Sequence, residues 1–192
     1  MLKNVVFETS VFSKSNILDT DLKQVVLVGK SNVGKSSFIN ALANQKKLAY
    51  VGNTPGKTRS INYYNVNKEF YIVDLPGYGY SKMSHAEKNQ INGLIDSYMN
   101  KSKTIAHIFF LVDIRHDPTN NDKLMYDWLV GQQIPFTIIA NKSDKIAKTK
   151  VDTYLLAITK GLFAKEEIIP FSSETKLNAE LLVQKILEIT MQ

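Results

Sequence analysis

The segment from Gly29 to Ser36, G-K-S-N-V-G-K-S, constrains this 192-residue chain more than any other. It matches the pattern G-x-x-x-x-G-K-[ST], directly follows the apolar run Val25–Val28, and opens the amphipathic stretch Ser36–Leu42. Glycines let a backbone wrap closely around phosphate groups, and the N-terminal end of a helix attracts them. The pattern therefore predicts a strand, a phosphate-binding loop and a helix, with Lys35 on the β- and γ-phosphates and the Ser36 hydroxyl on Mg²⁺.

Strand-sized apolar runs alternate with amphipathic stretches along the whole chain. The predicted strands are Val5–Phe12, Val25–Val28, Ile61–Val66, Phe70–Leu75, Ile105–Ile114, Phe136–Ala140 and Ile168–Phe171. The predicted helices are Ser36–Leu42, His85–Asn100, Asn120–Val130, Val151–Phe163 and Ala179–Ile189. This alternation predicts an α/β fold with a mainly parallel sheet, helices on both faces and one antiparallel edge pair, the hairpin of Ile61–Val66 and Phe70–Leu75.

Two segments after the phosphate-binding loop are candidates for sensing a γ-phosphate. Asp74-Leu75-Pro76-Gly77 ends a predicted strand, where an acid can hold Mg²⁺ through water and Gly77 can turn its N–H toward the phosphate. The loop from Thr54 to Ser60 precedes the hairpin, and a threonine there can ligate Mg²⁺ while the γ-phosphate is present. From the residues alone, Thr54 and Thr58 both qualify as that ligand.

Asn141-Lys142-Ser143-Asp144 follows a predicted strand and suits the recognition of a guanine base. The Asp144 carboxylate can accept hydrogen bonds from the ring imino and exocyclic amino groups of guanine, a donor pair that adenine lacks. Asn141 can brace the loop, and the aliphatic stem of Lys142 can cover the flat base. Ser172 and its neighbours end the next strand, where a backbone N–H can meet the guanine carbonyl oxygen.

The order of these segments resembles that of small GTPases of the translation-factor type. Five motifs of this chain are similar to those of the EngB family of bacterial GTPases, also called YihA or YsxC. They are G-K-S-N-V-G-K-S, T-P-G-K-T, D-L-P-G-Y-G-Y, D-I-R-H-x-P and F-S-S-E-T-K. The resemblance covers nearly the whole chain and implies a P-loop, Ras-like G domain with a six-stranded type of sheet. It implies one domain over residues 1–192, with about residues 1–22 as an N-terminal strand and loop extension.

The resemblance also implies the functional residues. It makes Thr58 the switch threonine, Ser36 and Thr58 the protein ligands of Mg²⁺, and Lys35, Thr58 and Gly77 the catalytic residues. The implied contacts to GTP or GDP are Gly29, Lys30, Ser31, Asn32, Val33, Gly34, Lys35, Ser36, Gly56, Lys57, Thr58, Arg59, Ser60, Asp74, Leu75, Pro76, Gly77, Asn141, Lys142, Ser143, Asp144, Ser172, Ser173 and Glu174. It further implies a switch in assembly of the large ribosomal subunit, linked to normal cell division and septation.

The hydrolytic chemistry has one unusual feature, because Tyr78 stands where many small GTPases have a glutamine that orients water. We therefore expect slow intrinsic turnover, with rate supplied by a partner, a rearranged switch or a monovalent cation. Asn32 resembles an asparagine that helps to hold K⁺ in related GTPases. Arg59 is either a charge donor to the transition state or, as we favour, a solvated loop residue. His116 is expected to lie in a structured turn rather than to act in catalysis.

Charge and composition bound the partners. Lys and Arg number 24 against 18 acids, so the chain is basic, which fits ribosomal RNA as a partner and equally fits a surface charged for solubility. Lys46, Lys47, Lys142, Lys145, Lys148 and Lys150 are candidate RNA contacts or a solvated face. Without cysteine there is no prenylation site, and Leu2 excludes myristoylation, so we expect a cytoplasmic monomer without a membrane anchor. The competing hypothesis is a GTP/GDP-sensing module that recruits division proteins with negligible hydrolysis.

Overall fold

The structure is a computed structural model that describes residues 1–51, 59–79 and 83–191. These residues build one mixed sheet with helices packed on both of its faces. The strands are β1 (Val5–Val11), β2 (Lys23–Gly29), β3 (Ile61–Val66), β4 (Phe70–Asp74), β5 (Ile105–Asp113), β6 (Phe136–Asn141) and β7 (Ile168–Pro170). The helices are α1 (Lys35–Ala43), α2 (His85–Lys101), α3 (Asn120–Gly131), α4 (Val151–Leu162) and α5 (Ala179–Met191).

The sheet has seven strands in the order β1-β3-β4-β2-β5-β6-β7. Strands β4, β2, β5, β6 and β7 pair in parallel, and β3 is antiparallel to both β1 and β4. The α/β class with a mainly parallel sheet and an antiparallel edge is thus confirmed. The predicted N-terminal strand, observed as Val5–Val11, adds a seventh strand to the six-stranded type of sheet. It pairs antiparallel with β3 at the edge, so the sheet has two antiparallel pairs where one was predicted.

The central strands are apolar on both faces, as strands covered by helices on either side require. Along β2, Val26 and Val28 belong to the hydrophobic cluster that includes residues of α2 and α3, while Val25 and Leu27 belong to the cluster that includes residues of α1 and α5. Strand β5 repeats this alternation. Each side of the sheet therefore has its own hydrophobic core.

Two helices begin at residues that satisfy their free N–H groups. Ser84 caps α2 and Thr119 caps α3, and each forms a reciprocal capping box with the acid three residues later, Glu87 and Asp122 respectively. Both acids lie in the first turn of their helix, where a negative charge is favoured. None of the helices in the described part of the chain combines the length and apolar character that crossing a bilayer requires.

The parallel strands end together at one edge of the sheet. The residues at those ends include Gly29 of β2, Asp74 of β4, Asp113 of β5 and Asn141 of β6. Open α/β sheets bind their ligands beyond the carboxyl ends of the strands. The fold thus places the starts of the Gly29–Ser36, Asp74–Gly77 and Asn141–Asp144 segments at the edge where a ligand is expected.

Candidate functional site

The segment Gly29–Ser36 connects β2 to α1, as its pattern predicts. Gly34 has φ of 108°, and a Cβ on this residue would lie 2.4 Å from Asn141 Nδ2. Both observations explain why glycine is required there, since the backbone conformation and the close contact each exclude a side chain. The loop is also tied to the neighbouring strands, because Asn141 Nδ2 donates to Val33 O at 2.8 Å.

Lys35 and Asp74 form the charged centre beneath this loop. Both side chains are buried, and Lys35 Nζ lies 3.9 Å from Asp74 Oδ1 and 3.3 Å from Gly29 O. Burial lowers the pKa of the lysine and raises the pKa of Asp74 to about 6, although each group partly offsets the effect on the other. Each buried charge of this pair would be stabilised further by a group of opposite charge, a phosphate for Lys35 and a cation for Asp74.

Asp74 provides a test of whether the site fits Mg²⁺. Its Oδ1 atom is buried and accepts no hydrogen bond in the described part of the chain. An orphaned carboxylate oxygen is costly to bury, and oxygen is the ligand that Mg²⁺ prefers. The residues present therefore fit the ion.

Gly77 lies against the phosphate-binding loop. A Cβ on Gly77 would lie 2.8 Å from Ser31 N and 3.2 Å from Lys35 Nζ, so only glycine permits this approach. The next residue, Tyr78, accepts a hydrogen bond at its carbonyl oxygen from Ser31 N at 2.9 Å. The segment after β4 is thus bonded to the loop at the position where a γ-phosphate sensor would be needed.

The Tyr78 side chain turns toward α3. Its hydroxyl donates to Asp122 Oδ1 at 2.6 Å, while Asp122 Oδ2 accepts from Thr119 in the capping box of α3. Burial and the adjacent Asp122 carboxylate raise the pKa of Tyr78 far above its usual range. Tyr78, which occupies the usual glutamine position, thus donates its hydroxyl hydrogen to Asp122 of the α3 capping box. That hydrogen is not available to orient a water molecule.

The predicted switch loop lies mostly outside the described residues. Thr54, Gly56, Lys57 and Thr58 all fall in this part of the chain, so their predicted roles stay predictions. Arg59 and Ser60 are described. Arg59 Nη1 forms an ion pair with Glu87 Oε1 of α2 at 2.8 Å, and Ser60 Oγ donates to Asn62 Oδ1 at 2.9 Å.

Asn141-Lys142-Ser143-Asp144 forms a braced loop after β6. Asn141 Oδ1 accepts from Lys142 N at 2.8 Å, and Lys142 takes up a left-handed conformation with φ of 67°. The Lys142 ammonium reaches across to Asn32 O of the phosphate-binding loop at 2.9 Å. The Gly29–Ser36 loop and the loop after β6, more than a hundred residues apart in the chain, are therefore joined by two hydrogen bonds, one from Asn141 and one from Lys142.

Asp144 is the acid at the end of this loop. Ser172 Oγ donates to Asp144 Oδ1 at 2.7 Å, and Lys145 Nζ lies 2.9 Å from Asp144 Oδ2. Burial opposes ionisation, but hydrogen bonds from Ser172 and Lys145 outweigh it and leave the pKa of Asp144 lowered. The carboxylate is thus ionised at neutral pH, as an acceptor of two guanine N–H groups must be.

A cleft of about 570 Å³ opens between α1 and the two loops that follow β6 and β7. Its lining includes six of the predicted contact residues, namely Gly34, Asn141, Lys142, Asp144, Ser173 and Glu174. The Oγ atom of Ser173 is buried there without a partner in the described part of the chain. A volume of this size suits a small molecule, and the polar groups that line it are those that a base and ribose would meet.

Sequence reasoning missed several residues at this site. Ser37 and Asn40 of α1, together with Lys176, line the cleft. Asp113, at the end of β5, contacts both Arg115 and Lys142. The sequence feature that could have indicated Asp113 is its position at the carboxyl end of a predicted parallel strand, as the first residue of the D-I-R-H-x-P motif. His116 is exposed, and its N–H donates to Asp113 O at 3.3 Å in a turn.

Comparison with known proteins identifies relatives over most of the chain. A family model described as "50S ribosome-binding GTPase" matches residues 24–142. A probable GTP-binding protein EngB from Lachnospira eligens is 44% identical over 188 residues, which cover 97% of this chain and 89% of the relative. The corresponding protein of Clostridioides difficile is 43% identical over 179 residues, covering 92% of this chain and 88% of that protein.

Solved structures show the same likeness in three dimensions. The crystal structure of a probable GTP-binding protein engB has a TM-score of 0.73 and 25% identity, and the match covers 88% of this chain and 98% of that one. Aquifex aeolicus Era Y63A bound to GDP and AlF4⁻ gives a TM-score of 0.69 at 26% identity, over 89% of this chain and 57% of Era.

Proposed function

The chain belongs to the EngB family of GTP-binding proteins, and on that premise we propose that it is a Mg²⁺-dependent GTPase that acts as a switch in assembly of the large ribosomal subunit. The observation that carries the ribosomal part is the family model described as "50S ribosome-binding GTPase" over residues 24–142. We further propose that residues 1–192 form one G domain, which two hydrophobic clusters around a single sheet support.

We propose the following roles for the site residues. The loop Gly29–Ser36 binds the phosphates, Gly77 meets the γ-phosphate through its N–H, and Asp144 reads guanine with Ser172 holding its carboxylate in place. Lys35, Thr58 and Gly77 are the proposed catalytic group. Lys35 supplies positive charge where negative charge gathers during phosphoryl transfer.

Ser36 and Thr58 are the residues that we propose would hold Mg²⁺, and the buried Oδ1 atom of Asp74 would accept hydrogen bonds from water bound to the ion. The bound ion neutralises charge on the β- and γ-phosphates. GTP hydrolysis should therefore require Mg²⁺ and stop with a chelator. Ser36→Ala should raise the Mg²⁺ concentration needed for half-maximal hydrolysis, whereas Thr153→Ala, which removes an exposed hydroxyl from α4, should not alter it. An unchanged requirement in Ser36→Ala would contradict this assignment.

Slow intrinsic turnover is part of the proposal, and the bonding of the Tyr78 hydroxyl to Asp122 supports it. Asn32 carries the proposed dependence on K⁺. Single-turnover hydrolysis should be faster in KCl than in NaCl at equal ionic strength, and Asn32→Ala should abolish that difference. Equal rates of the wild type in the two salts would remove the proposed K⁺ site.

A basic surface near the base-binding loop is the proposed contact with ribosomal RNA. Lys46, Lys47, Lys148 and Lys150 are exposed, whereas Lys142 and Lys145 are bonded to groups of the site. Binding to RNA through such lysines weakens as salt rises, because each contact releases counterions. A ribosomal partner implies a cytoplasmic location, and we propose that the protein acts there as a monomer, which sedimentation velocity would test.

The deciding experiment is co-sedimentation with purified 50S subunits, comparing GDP with a non-hydrolysable GTP analogue at two salt concentrations. We expect binding that needs the GTP form and weakens at the higher salt. Lys148→Glu with Lys150→Glu should weaken it. The matched control, Lys160→Glu with Lys165→Glu, makes the same charge change near the other end of α4 and should bind as the wild type does.

The second candidate function is a GTP/GDP-sensing module that recruits division proteins with negligible hydrolysis, and the position of Tyr78 favours it. Equal or absent binding to 50S subunits in both nucleotide states would contradict the ribosomal proposal. A turnover rate no faster with ribosomal particles than without them would favour the sensing module. In either case, the proposed link to cell division and septation would be examined through cell length after depletion.

A further inference from the structure

The D-I-R-H-x-P segment after β5 has no part in the function proposed so far. Its first residue, Asp113, is half-buried at the carboxyl end of β5, beside the loop that follows β6. Asp113 Oδ2 accepts a hydrogen bond from Lys142 Nζ at 2.9 Å. The segment therefore contacts the side chain that is expected to cover the guanine base.

Arg115 fixes the orientation of the Asp113 carboxylate. Its Nε donates to Oδ1 at 2.8 Å and its Nη2 to Oδ2 at 2.7 Å, while the Arg115 backbone N–H donates to Oδ1 at 3.2 Å. A planar guanidinium that binds both oxygens of a carboxylate restricts its rotation. Oδ2 is thereby held toward Lys142, and together these bonds lower the pKa of Asp113 although its burial opposes this.

Lys142 is fixed at both ends of its side chain. At the backbone end, Asn141 Oδ1 accepts from Lys142 N, and at the other end the ammonium donates to Asn32 O and to Asp113 Oδ2, each at 2.9 Å. A lysine side chain otherwise has several rotatable bonds and loses much conformational entropy when it is ordered. With both ends held, the stem is already ordered before a base arrives.

We propose that Asp113, oriented by Arg115, is a positioning residue that holds the Lys142 side chain in the arrangement that covers the base. The inference rests on the proposed role of Asn141-Lys142-Ser143-Asp144 as the base-binding loop. Contact between the aliphatic stem of Lys142 and the flat face of a purine does not depend on the exocyclic groups of the purine. The hydrogen bonds that Asp144 is proposed to accept from the base do depend on them. Asp113 therefore contributes to the affinity for the base and leaves the choice between bases to Asp144.

Equilibrium binding of GDP and IDP provides the test, because the base of IDP lacks the exocyclic amino group that Asp144 is proposed to read. Loss of a hydrogen bond between charged groups should weaken GDP binding by about tenfold in Asp113→Ala and about threefold in Asp113→Asn. IDP binding should fall by the same factors, so the GDP-to-IDP ratio of the wild type is kept. Asp117→Asn removes one exposed charge from the same turn and is the matched control, with wild-type affinity expected.

A double-mutant cycle with Lys142→Met separates positioning from a general effect on folding. Methionine keeps an aliphatic stem but has no ammonium for Asp113 to hold. In that background, Asp113→Ala should cause less than a twofold further loss of GDP affinity. Thermal unfolding of each apoprotein gives the fraction that is folded, so that every dissociation constant refers to folded protein.

Three outcomes would overturn the inference. Wild-type GDP affinity in Asp113→Ala would show that Asp113 does not act on the site, and a further tenfold loss in the Lys142→Met background would show that it acts through another route. A changed GDP-to-IDP ratio would make Asp113 a reader of the base itself. The proposed base-binding loop fails separately, taking this inference with it, if wild-type protein does not distinguish GDP from IDP and Asp144→Asn binds both as before.

Discussion

At the scale of single residues, several carboxylates divide their two oxygens between tasks. In Glu87 and Asp122, one oxygen completes the cap of a helix and the other holds a side chain from a different segment, Arg59 and Tyr78 respectively. Asp144 likewise uses one oxygen for Ser172 and the other for Lys145. A carboxylate has about four acceptor positions, so it can bond within its own turn and still join a neighbouring element. Local helix signals and long-range contacts of the site thus depend on the same few acids.

Tyr78→Phe tests the contact between the segment after β4 and α3. The substitution removes the hydrogen bond to Asp122 but keeps the ring, so we expect the free energy of unfolding to fall by about 1–2 kcal/mol. Intrinsic GTP hydrolysis should stay within about twofold of wild type, because a hydroxyl bonded to Asp122 does not orient water. Urea unfolding and single-turnover hydrolysis measure the two quantities.

The matched control is Tyr71→Phe, which removes the hydrogen bond from Tyr71 to Glu8 at 2.9 Å, away from the nucleotide site. It should lower stability by a similar amount and leave hydrolysis unchanged. A loss of hydrolysis of tenfold or more in Tyr78→Phe alone would contradict our interpretation and give the hydroxyl a part in the reaction.

At the scale of elements, the sequence predicted all twelve strands and helices described here, with bounds that differ by at most two residues at every end. Apolar periodicity and the local signals at helix ends carry that information, since both depend on neighbours in the chain. The contacts from Tyr78 to Asp122 and from Asp113 to Lys142 were not predicted. They depend on how distant elements approach each other, and a polar residue in a loop gives no local sign of its partner.

The ion pair between Arg59 and Glu87 links the end of the predicted switch loop to the start of α2. An arginine held by Glu87 does not lie free to stabilise a transition state, so Arg59→Ala should slow GTP hydrolysis by far less than the roughly 10³-fold expected for a catalytic arginine. Glu87→Gln keeps an oxygen to accept from Ser84 and should have an effect of the same size.

The effect on the rate of GTP hydrolysis is measured by single-turnover assays of Arg59→Ala, Glu87→Gln and the variant that combines them. The combined variant should also slow hydrolysis by far less than the roughly 10³-fold expected for a catalytic arginine. Glu180→Gln, in the first turn of α5, is the control for loss of an acid at a helix start. A loss of about 10³-fold in Arg59→Ala would instead show that Arg59 reaches the transition state.

At the scale of the whole molecule, the stability of the sheet is coupled to pH through His107 on β5. Its Nε2 lies 2.9 Å from Thr137 Oγ1 of β6, and both residues are buried. Burial and, to a smaller extent, the charge of Lys185 lower the pKa of His107 from 6.5 to about 4, while Glu167 opposes the shift. Between pH 6.5 and about pH 4, His107 therefore binds a proton in the unfolded chain but not in the folded chain.

The stability that His107 contributes as a neutral group is therefore complete above pH 6.5 and is lost as the pH falls to about 4. The loss from this one residue amounts to about 3 kcal/mol at most. His107→Gln can still bond Thr137 but does not titrate, so its free energy of unfolding should fall less steeply over this range. Urea unfolding at several pH values measures it, with the exposed His85→Gln as a control that should follow the wild type.

The meeting of strand ends at one edge has a consequence for a chain that is still being made. The candidate site draws on Gly29, Asp74, Asn141 and Ser172, so closing it joins residues separated by most of the sequence. Contacts between residues so far apart in the chain carry a larger entropic cost of closure than local contacts do. A partly synthesised chain that lacks the segment after β7 lacks part of the proposed base-binding site. A nucleotide bound at the proposed site would therefore stabilise the chain only once the segment after β7 has been added.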